Sequence, residues 1–240
     1  MRFFTSLTIL MYHKVDRIPA GAAHRGNYVL PEEFERQLTA LRSWGYETVT
    51  LNEWVAFRKG SAGLPGKPLV ISFDDGYRTT LTNAWPILRK AGFSATVFLV
   101  SGLIGKTNSW DEDELQEPLL DEADILKMHG EGCSFGSHTR THVALTKTPA
   151  DLASRELSES REELERLLGE PVTSFCYPYA KQNDSVRSLV RAAGYDCALI
   201  GRGGINRVSR DPFALRRIKI DTATTIAGLR RTLLRARVGL

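Results

Sequence analysis

The sequence predicts an α/β fold built on parallel strands, and two observations carry that expectation. Short apolar runs rich in β-branched residues recur along the chain, and amphipathic stretches of helical length separate them. Eight strand-like runs alternating with helices favour a parallel barrel over a sandwich. A length of 240 residues suits one domain over 1–240 with ample core. Hydrophobic content of 42% and charged content of 25% are ordinary for a soluble globular protein. The net charge of +4 is mild and does not argue for a nucleic-acid partner. Cys133, Cys176 and Cys197 are too few, and odd in number, for a disulfide framework; they read as buried strand residues in a reducing compartment. No apolar run reaches the roughly 18–20 residues needed to span a bilayer.

The elements follow in order. Arg2 precedes Phe3 to Met11, which superficially resembles a signal peptide. The run is short, is interrupted by Thr and Ser, lacks a small-x-small cleavage site and leads straight into Tyr12-His13. It reads as the first barrel strand, with a cytoplasmic location expected. Residues 16–30 form a polar loop. Pro31 opens a helix with Glu32 and Glu33 in its first turn and Phe34, Leu38 and Leu41 on one face, ending at Gly45. Tyr46 to Leu51 is a predicted strand, with Asn52 as cap of a short helix. Pro68 to Ile71 is a buried strand, and Thr79 to Ala91 a helix. Ala95 to Val100 is a central strand, residues 101–120 are irregular, and Asp121 to His129 is a short helix. Thr148 as cap and Pro149 at the first helical position open a helix that runs to Leu168 and stops at Gly169. Thr173 to Cys176 and Cys197 to Ile200 are strands around a helix at Ser185 to Ala193, and Leu215 to Ile220 is the last strand.

Two stretches carry chemistry. Ser72-Phe73-Asp74-Asp75-Gly76 puts adjacent carboxylates where a strand ends, the end at which parallel α/β folds gather their sites. Like charges side by side are costly unless used, and a divalent cation is the usual reason. A solvated Asp-Asp-Gly turn is the bland alternative. Ser137 to His142 then places His138 and His142 four residues apart, a spacing that shares one face on a helical turn. Two His and one Asp make a three-ligand site with an open position, the catalytic arrangement.

Together, Ser-Phe-Asp-Asp-Gly at 72–76 and His-Thr-Arg-Thr-His at 138–142 resemble the paired motifs of the NodB-type polysaccharide deacetylases. Phe175-Cys176-Tyr177-Pro178-Tyr179 falls where that family has Arg-x-Pro-Tyr, and Tyr12-His13-Lys14-Val15 resembles the Tyr-His-x-Val opening of one branch. The resemblance spans nearly the whole chain. It implies a distorted (β/α) barrel of seven or eight parallel strands and a metal-dependent hydrolase that removes the N-acetyl group from an amino sugar in a glycan or glycan precursor.

The roles can be argued from residue types. A bound Zn²⁺, or Co²⁺ or Ni²⁺, lowers the pKa of its water from ~15.7 toward ~7 and polarises the carbonyl. Asp75, His138 and His142 are the expected ligands. Asp74, whose side chain diverges from its neighbour's, is the expected general base. The resemblance implies that Tyr177, Pro178 and Tyr179 line the groove, with a backbone N–H at Tyr179 on the oxyanion. Trp110 either stacks on a sugar ring or covers the barrel rim. Two departures stand out: Cys176 replaces the Arg that orients the base in many members, and no His follows His142 to serve as the late general acid. His13, at the end of the first strand, and Arg217, in the last, are the expected substitutes. The alternatives are a hydrolase of small N-acyl or N-formyl compounds and a weakened relative that only binds carbohydrate. From Ile226 onward, Ile226, Leu229 and Leu233 share a helical face while Arg230, Arg231, Arg235 and Arg237 crowd the rest. This pattern fits a solvated barrel helix and, less well, peripheral contact with an anionic membrane.

Overall fold

The computed structural model describes residues 6–201 and 203–238; Phe3 to Thr5 of the predicted first strand, and the last two residues of the predicted C-terminal helix, lie outside them. The strands are β1 (Ser6–Tyr12), β2 (Lys14–Val15), β3 (Tyr28–Val29), β4 (Glu47–Thr48), β5 (Pro68–Phe73), β6 (Thr96–Leu99), β7 (Ser134–Ser137), β8 (Ser174–Cys176), β9 (Cys197–Leu199), β10 (Asn206–Arg207) and β11 (Ile218–Lys219). The helices are α1 (Pro31–Ser43), α2 (Leu51–Lys59), α3 (Trp85–Ala91), α4 (Glu122–Gly130), α5 (Ala150–Leu168), α6 (Asp184–Ala192) and α7 (Ile226–Val238).

Strands β1, β5, β6, β7, β8 and β9 are neighbours in that order and all parallel. Their residues are almost all buried, because helices cover one face and the barrel interior the other. The ring closes through residues 215–219. Leu215 bridges Leu199 on one side, and β11 pairs with Leu10 and Met11 of β1 on the other. That seam is thin, with Ile200 N donating to Leu215 O at 2.8 Å and Leu215 N to Ala198 O at 2.9 Å. The result is the distorted, mostly parallel barrel implied by the resemblance.

Several local expectations are corrected. Tyr46 to Leu51 contains only a two-residue strand, because Thr50 and Glu53 form a capping box that starts α2; Asn52 lies inside that helix. The helix expected from Thr79 opens instead with a wide turn at Thr80–Ala84, where Trp85 N reaches back to Thr80 O. Pro86 has no N–H to continue a regular ladder through that turn. Pro149, not Thr148, occupies the cap position of α5. Leu229 and Leu233 of α7 are buried in the core beside α1, so the apolar face proposed for a membrane is already used. No described helix is long and apolar enough to cross a membrane.

Register delivers the site. Tyr12 lies opposite Phe73, so His13 and Asp74 leave adjacent strands together, with Asp74 N donating to Tyr12 O at 3.1 Å. Beneath them Tyr12, Phe34 and Phe73 pack as an aromatic triad with centroids 5.1 to 6.0 Å apart. His138 follows β7, its N bonded to Leu99 O at 2.8 Å. Gly136, two residues earlier, is squeezed: a Cβ there would lie 2.6 Å from both Phe98 Cε1 and Ser174 Oγ. Phe98 is fully buried and cannot swing away. Gly136→Ala is therefore expected to cost about 1–3 kcal/mol through overpacking. A urea midpoint unchanged from wild type would contradict the packing of β7 between β6 and β8.

Candidate active site

The two adjacent carboxylates face different partners because the backbone turns between them. Asp75 has a positive φ of 74°, a conformation that Asp tolerates better than most residues, and Gly76 follows at 78°. A Cβ on Gly76 would lie 2.8 Å from Leu99 Cδ2, so this turn also needs the glycine for space.

Asp74 turns into the barrel. Arg217 grips it in a fork, Nη1 to Oδ1 at 2.6 Å and Nη2 to Oδ2 at 2.7 Å. Arg217 is itself only 1% exposed. Its other donors reach Ile200 O at 3.2 Å, Ser72 Oγ at 3.3 Å and Cys176 Sγ at 3.1 Å. Burial alone pushes the Asp74 carboxyl up; the charge and hydrogen bonds of Arg217 more than reverse this and leave it below the usual carboxylate range. The structure thus places a guanidinium on Asp74, although Cys176 occupies the motif position where Arg is common in the family.

Asp75 turns toward the histidines. Its Oδ1 lies 3.4 Å from His138 Nε2 and 3.3 Å from His142 Nε2. Burial pushes this carboxyl up, and the two imidazoles pull it well below its ordinary value. His138 Nδ1 contacts the Cys176 carbonyl at 2.7 Å, which fixes the ring and leaves Nε2 facing Asp75. The spacing of the two His does not arise from a helix. Residues 138–142 are a loop with positive φ at Thr139 (66°) and His142 (63°), and the rings still meet at 4.9 Å. Thr139 Oγ1 accepts from His142 N at 2.9 Å, and Glu156 of α5 accepts from Arg140 N and Thr141 N, both at 2.9 Å.

Among the described residues, two groups of three or more His, Cys, Asp or Glu side chains have donor atoms within 4.8 Å of one another: Asp75, His138 and His142, and Asp74, His138 and Cys176. The second is a poor cation site, since a guanidinium already occupies Asp74 and burial pushes the Cys176 thiol up, keeping it protonated. The first offers one carboxylate and two imidazole nitrogens on one spot, and its donor chemistry fits a divalent ion of the zinc type.

Asp74, Asp75, His138 and His142 line a cavity of about 280 Å³ together with His13, Trp110 and Tyr179. His13 Nδ1 is buried without a hydrogen-bond partner. Burial lowers the His13 pKa, with Asp75 and Asp74 partly opposing. Trp110 stacks on His142 at 4.4 Å, and Tyr179, 52% exposed, meets the same ring edge-on at 4.7 Å. Tyr177 reaches the wall, but its hydroxyl donates to Phe213 O at 3.0 Å, and Pro178 is buried outside the lining. Sequence reasoning left His24 in a polar loop; the structure brings it to the cavity, 3.2 Å from Asp111. Only tertiary pairing of two irregular segments joins them, so no local pattern signalled it.

Residues 61–198 match the family described as polysaccharide deacetylase. YxkH of Bacillus subtilis, whose name assigns it provisionally to the same activity, is 27% identical over 215 residues, covering 90% of this chain and 71% of its own. The poly-β-1,6-N-acetyl-D-glucosamine N-deacetylase of Staphylococcus epidermidis is 29% identical over 208 residues, covering 79% of this chain and 70% of its own. The solved structure of the Streptococcus pyogenes deacetylase PplD in complex with acetate superposes with a TM-score of 0.84 at 24% identity, over 95% of this chain and 98% of that one, and shares the fold.

The Asp74–Arg217 pair yields a prediction. A carboxyl that titrates below its unfolded value of ~3.9 contributes stability above that pH, lost as pH falls through the folded pKa. In Arg217→Gln burial is opposed only by the lesser charges of His138 and His13, so the Asp74 pKa rises and the acid limb of the stability curve moves to higher pH. The uncompensated charge is expected to cost about 3–5 kcal/mol at neutral pH. Equal acid limbs in the two proteins, measured by thermal melts across pH, would contradict the assignment.

Proposed function

The chain belongs to the polysaccharide deacetylase family, and from that premise we propose that it is a metal-dependent hydrolase that removes the N-acetyl group from an amino sugar in a glycan or glycan precursor. The observation that carries this reading is the Asp75, His138 and His142 donor set beside an ionised Asp74, on the floor of a cavity walled by aromatic rings. The relative from Staphylococcus epidermidis is named for poly-N-acetylglucosamine, which makes a β-linked N-acetylglucosamine polymer the first substrate to try.

Asp75, His138 and His142 would hold the ion, zinc by donor type, with cobalt or nickel as alternatives. When bound, the ion supplies Lewis acidity to a water and to the acyl oxygen. Asp74 accepts the proton of the attacking water. Arg217 makes it a weaker base than a free carboxylate, but keeps it fully ionised and fixed in orientation. The water oxygen bonds to the acyl carbon, the C–N bond breaks, and acetate leaves. The departing nitrogen takes its proton from the imidazolium form of His13, which returns to neutral imidazole, while the proton taken from water stays on Asp74 until it is released to solvent; the unpartnered Nδ1 and strand-end position of His13 suit a group that waits for substrate. Burial lowers the His13 pKa, which makes that imidazolium a stronger acid, and the ring takes up a proton from solvent before each turnover. A backbone N–H at Tyr179 is proposed for the oxyanion, and Trp110 and the exposed face of Tyr179 for the sugar ring. The guanidinium on Asp74 favours turnover over the carbohydrate-binding alternative.

Acetate release from β-1,6-linked N-acetylglucosamine oligomers, with and without chelator, tests the reading. Release that is lost with chelator and restored by zinc is expected; release unaffected by chelator would refute it, and release confined to small N-acyl compounds would favour the simpler hydrolase. His142→Ala should lose bound metal, whereas Asp74→Asn should keep metal and lose about 10²-fold or more in kcat. His13→Ala should lose kcat at unchanged metal content, and wild-type turnover in that variant would remove His13 from the mechanism.

A further inference from the structure

We propose that an arginine-lined cleft, remote from the catalytic cavity, binds a phosphate-bearing anion. The cleft has a volume of about 760 Å³, and Arg207, Arg210, Arg216 and Arg235 converge on it with Ser209 and Gly204. These residues come from three separate places: the segment around β10, the chain just before β11, and the last turns of α7. Arg207 pairs with Ser6 at the opening of β1, whereas His13 follows its far end. Arg216 and Arg217 are chain neighbours with opposite duties, Arg217 turned inward onto Asp74 and Arg216 exposed along the cleft.

The cleft arginines stand close together without ion pairs. Several exposed cations elsewhere have acid partners, as in Arg36–Glu33, Lys59–Asp196, Lys90–Glu35 and Arg155–Glu159, while Arg25, Lys147 and Arg166 stand singly without one among the described residues. Among the described residues none of the four cleft arginines is in an ion pair, and the adjacent acid, Asp211, is engaged by Arg187 and Arg191. The C-terminal end of α7 contributes only about half a negative charge against four guanidiniums. Burial and the Arg216 charge push the Arg210 guanidinium down from its ordinary value, with the nearby Asp211 charge only partly opposing them. The backbone accommodates the arrangement: Gly204 has φ of 137°, and a Cβ there would lie 2.9 Å from Arg216 Cδ.

Forked donors suit planar or tetrahedral oxyanions, and four of them exceed what one carboxylate can neutralise. The volume leaves room for a pyrophosphate or a phosphate with its substituent. A glycan stripped of acetyl groups carries ammonium charge and is repelled here, so on the proposed reaction the cleft is not part of the glycan's path.

Isothermal titration calorimetry of the full chain with pyrophosphate at low salt is the test. Saturable binding is expected, weakened about tenfold in Arg207→Gln/Arg235→Gln and weakened further as salt rises, with acetate release unchanged. The Arg207→Lys/Arg235→Lys variant should bind with intermediate affinity, which separates charge from misfolding. Co-sedimentation with phosphatidylglycerol vesicles, against phosphatidylcholine vesicles, distinguishes the sources. Sedimentation competed by pyrophosphate assigns a lipid headgroup, and pyrophosphate binding without sedimentation assigns a soluble phosphate compound. No pyrophosphate binding by the wild type overturns the proposal, and so does equal binding by the Gln variant, which would place the anion at the catalytic centre. Neither failure bears on the deacetylase reading.

Discussion

The fork between Arg217 and Asp74 is the interaction on which the site depends. Two unit charges about 4 Å apart attract by about 4 kcal/mol at an effective dielectric of about 20. Removing each from water costs several kcal/mol, so a buried pair of this kind adds little net stability. The barrel nevertheless holds both in its interior, with Ser72 and Cys176 satisfying further donors of the guanidinium. Its value is positional. It orients one carboxylate away from its immediate neighbour, keeps it ionised in a buried setting, and does so from a strand far along the chain. The same arginine bonds the Ile200 carbonyl, so the group that poises Asp74 also ties together the seam where the barrel closes.

The site was legible where its residues are close in sequence. Asp74 and Asp75 follow a buried apolar run, and His138 and His142 sit four apart, so residue type and spacing alone picked them out. The geometry behind that spacing was not legible. The i, i+4 argument assumes a helix, whereas the loop reaches the same ring proximity through two residues with positive φ, held by Thr139 and Glu156. Arg217 could be named only because a strand at the chain's end must return to the catalytic face. His24 and Asp111 could not be named at all, since both lie on irregular segments that tertiary packing alone brings together. Strand ends failed for a related reason: β4 shrinks to two residues because a strong capping box claims Thr50 for the following helix.

The irregular insertion between β6 and α4 is fastened by buried charge as well as by apolar contact. Glu117 accepts from Lys14 and from Tyr28 Oη, and the Lys14 ammonium lies 4.2 Å from the Tyr77 ring centroid. Glu114 accepts from the backbone of Ala23 and His24 at 3.1 and 2.6 Å. These ties hold Trp110 against His142 without needing regular secondary structure in between. Lys14 directly follows His13, so the strand end that presents the imidazole and the loop that presents the indole share one anchor.

The thin seam at Leu199 and Leu215 has a consequence for how the molecule comes into being. The partners Asp74 and Arg217 are 143 residues apart, and the ring of strands cannot close until residues 215–219 have been made. While the chain emerges from the ribosome, β9 and β1 present unpaired edges, and a carboxylate destined for burial has no cation to accompany it. The last barrel segment to be made is therefore the one that shields those edges and readies the catalytic face in a single step. A nascent chain cannot acquire the chemistry before it has become resistant to edge-to-edge association.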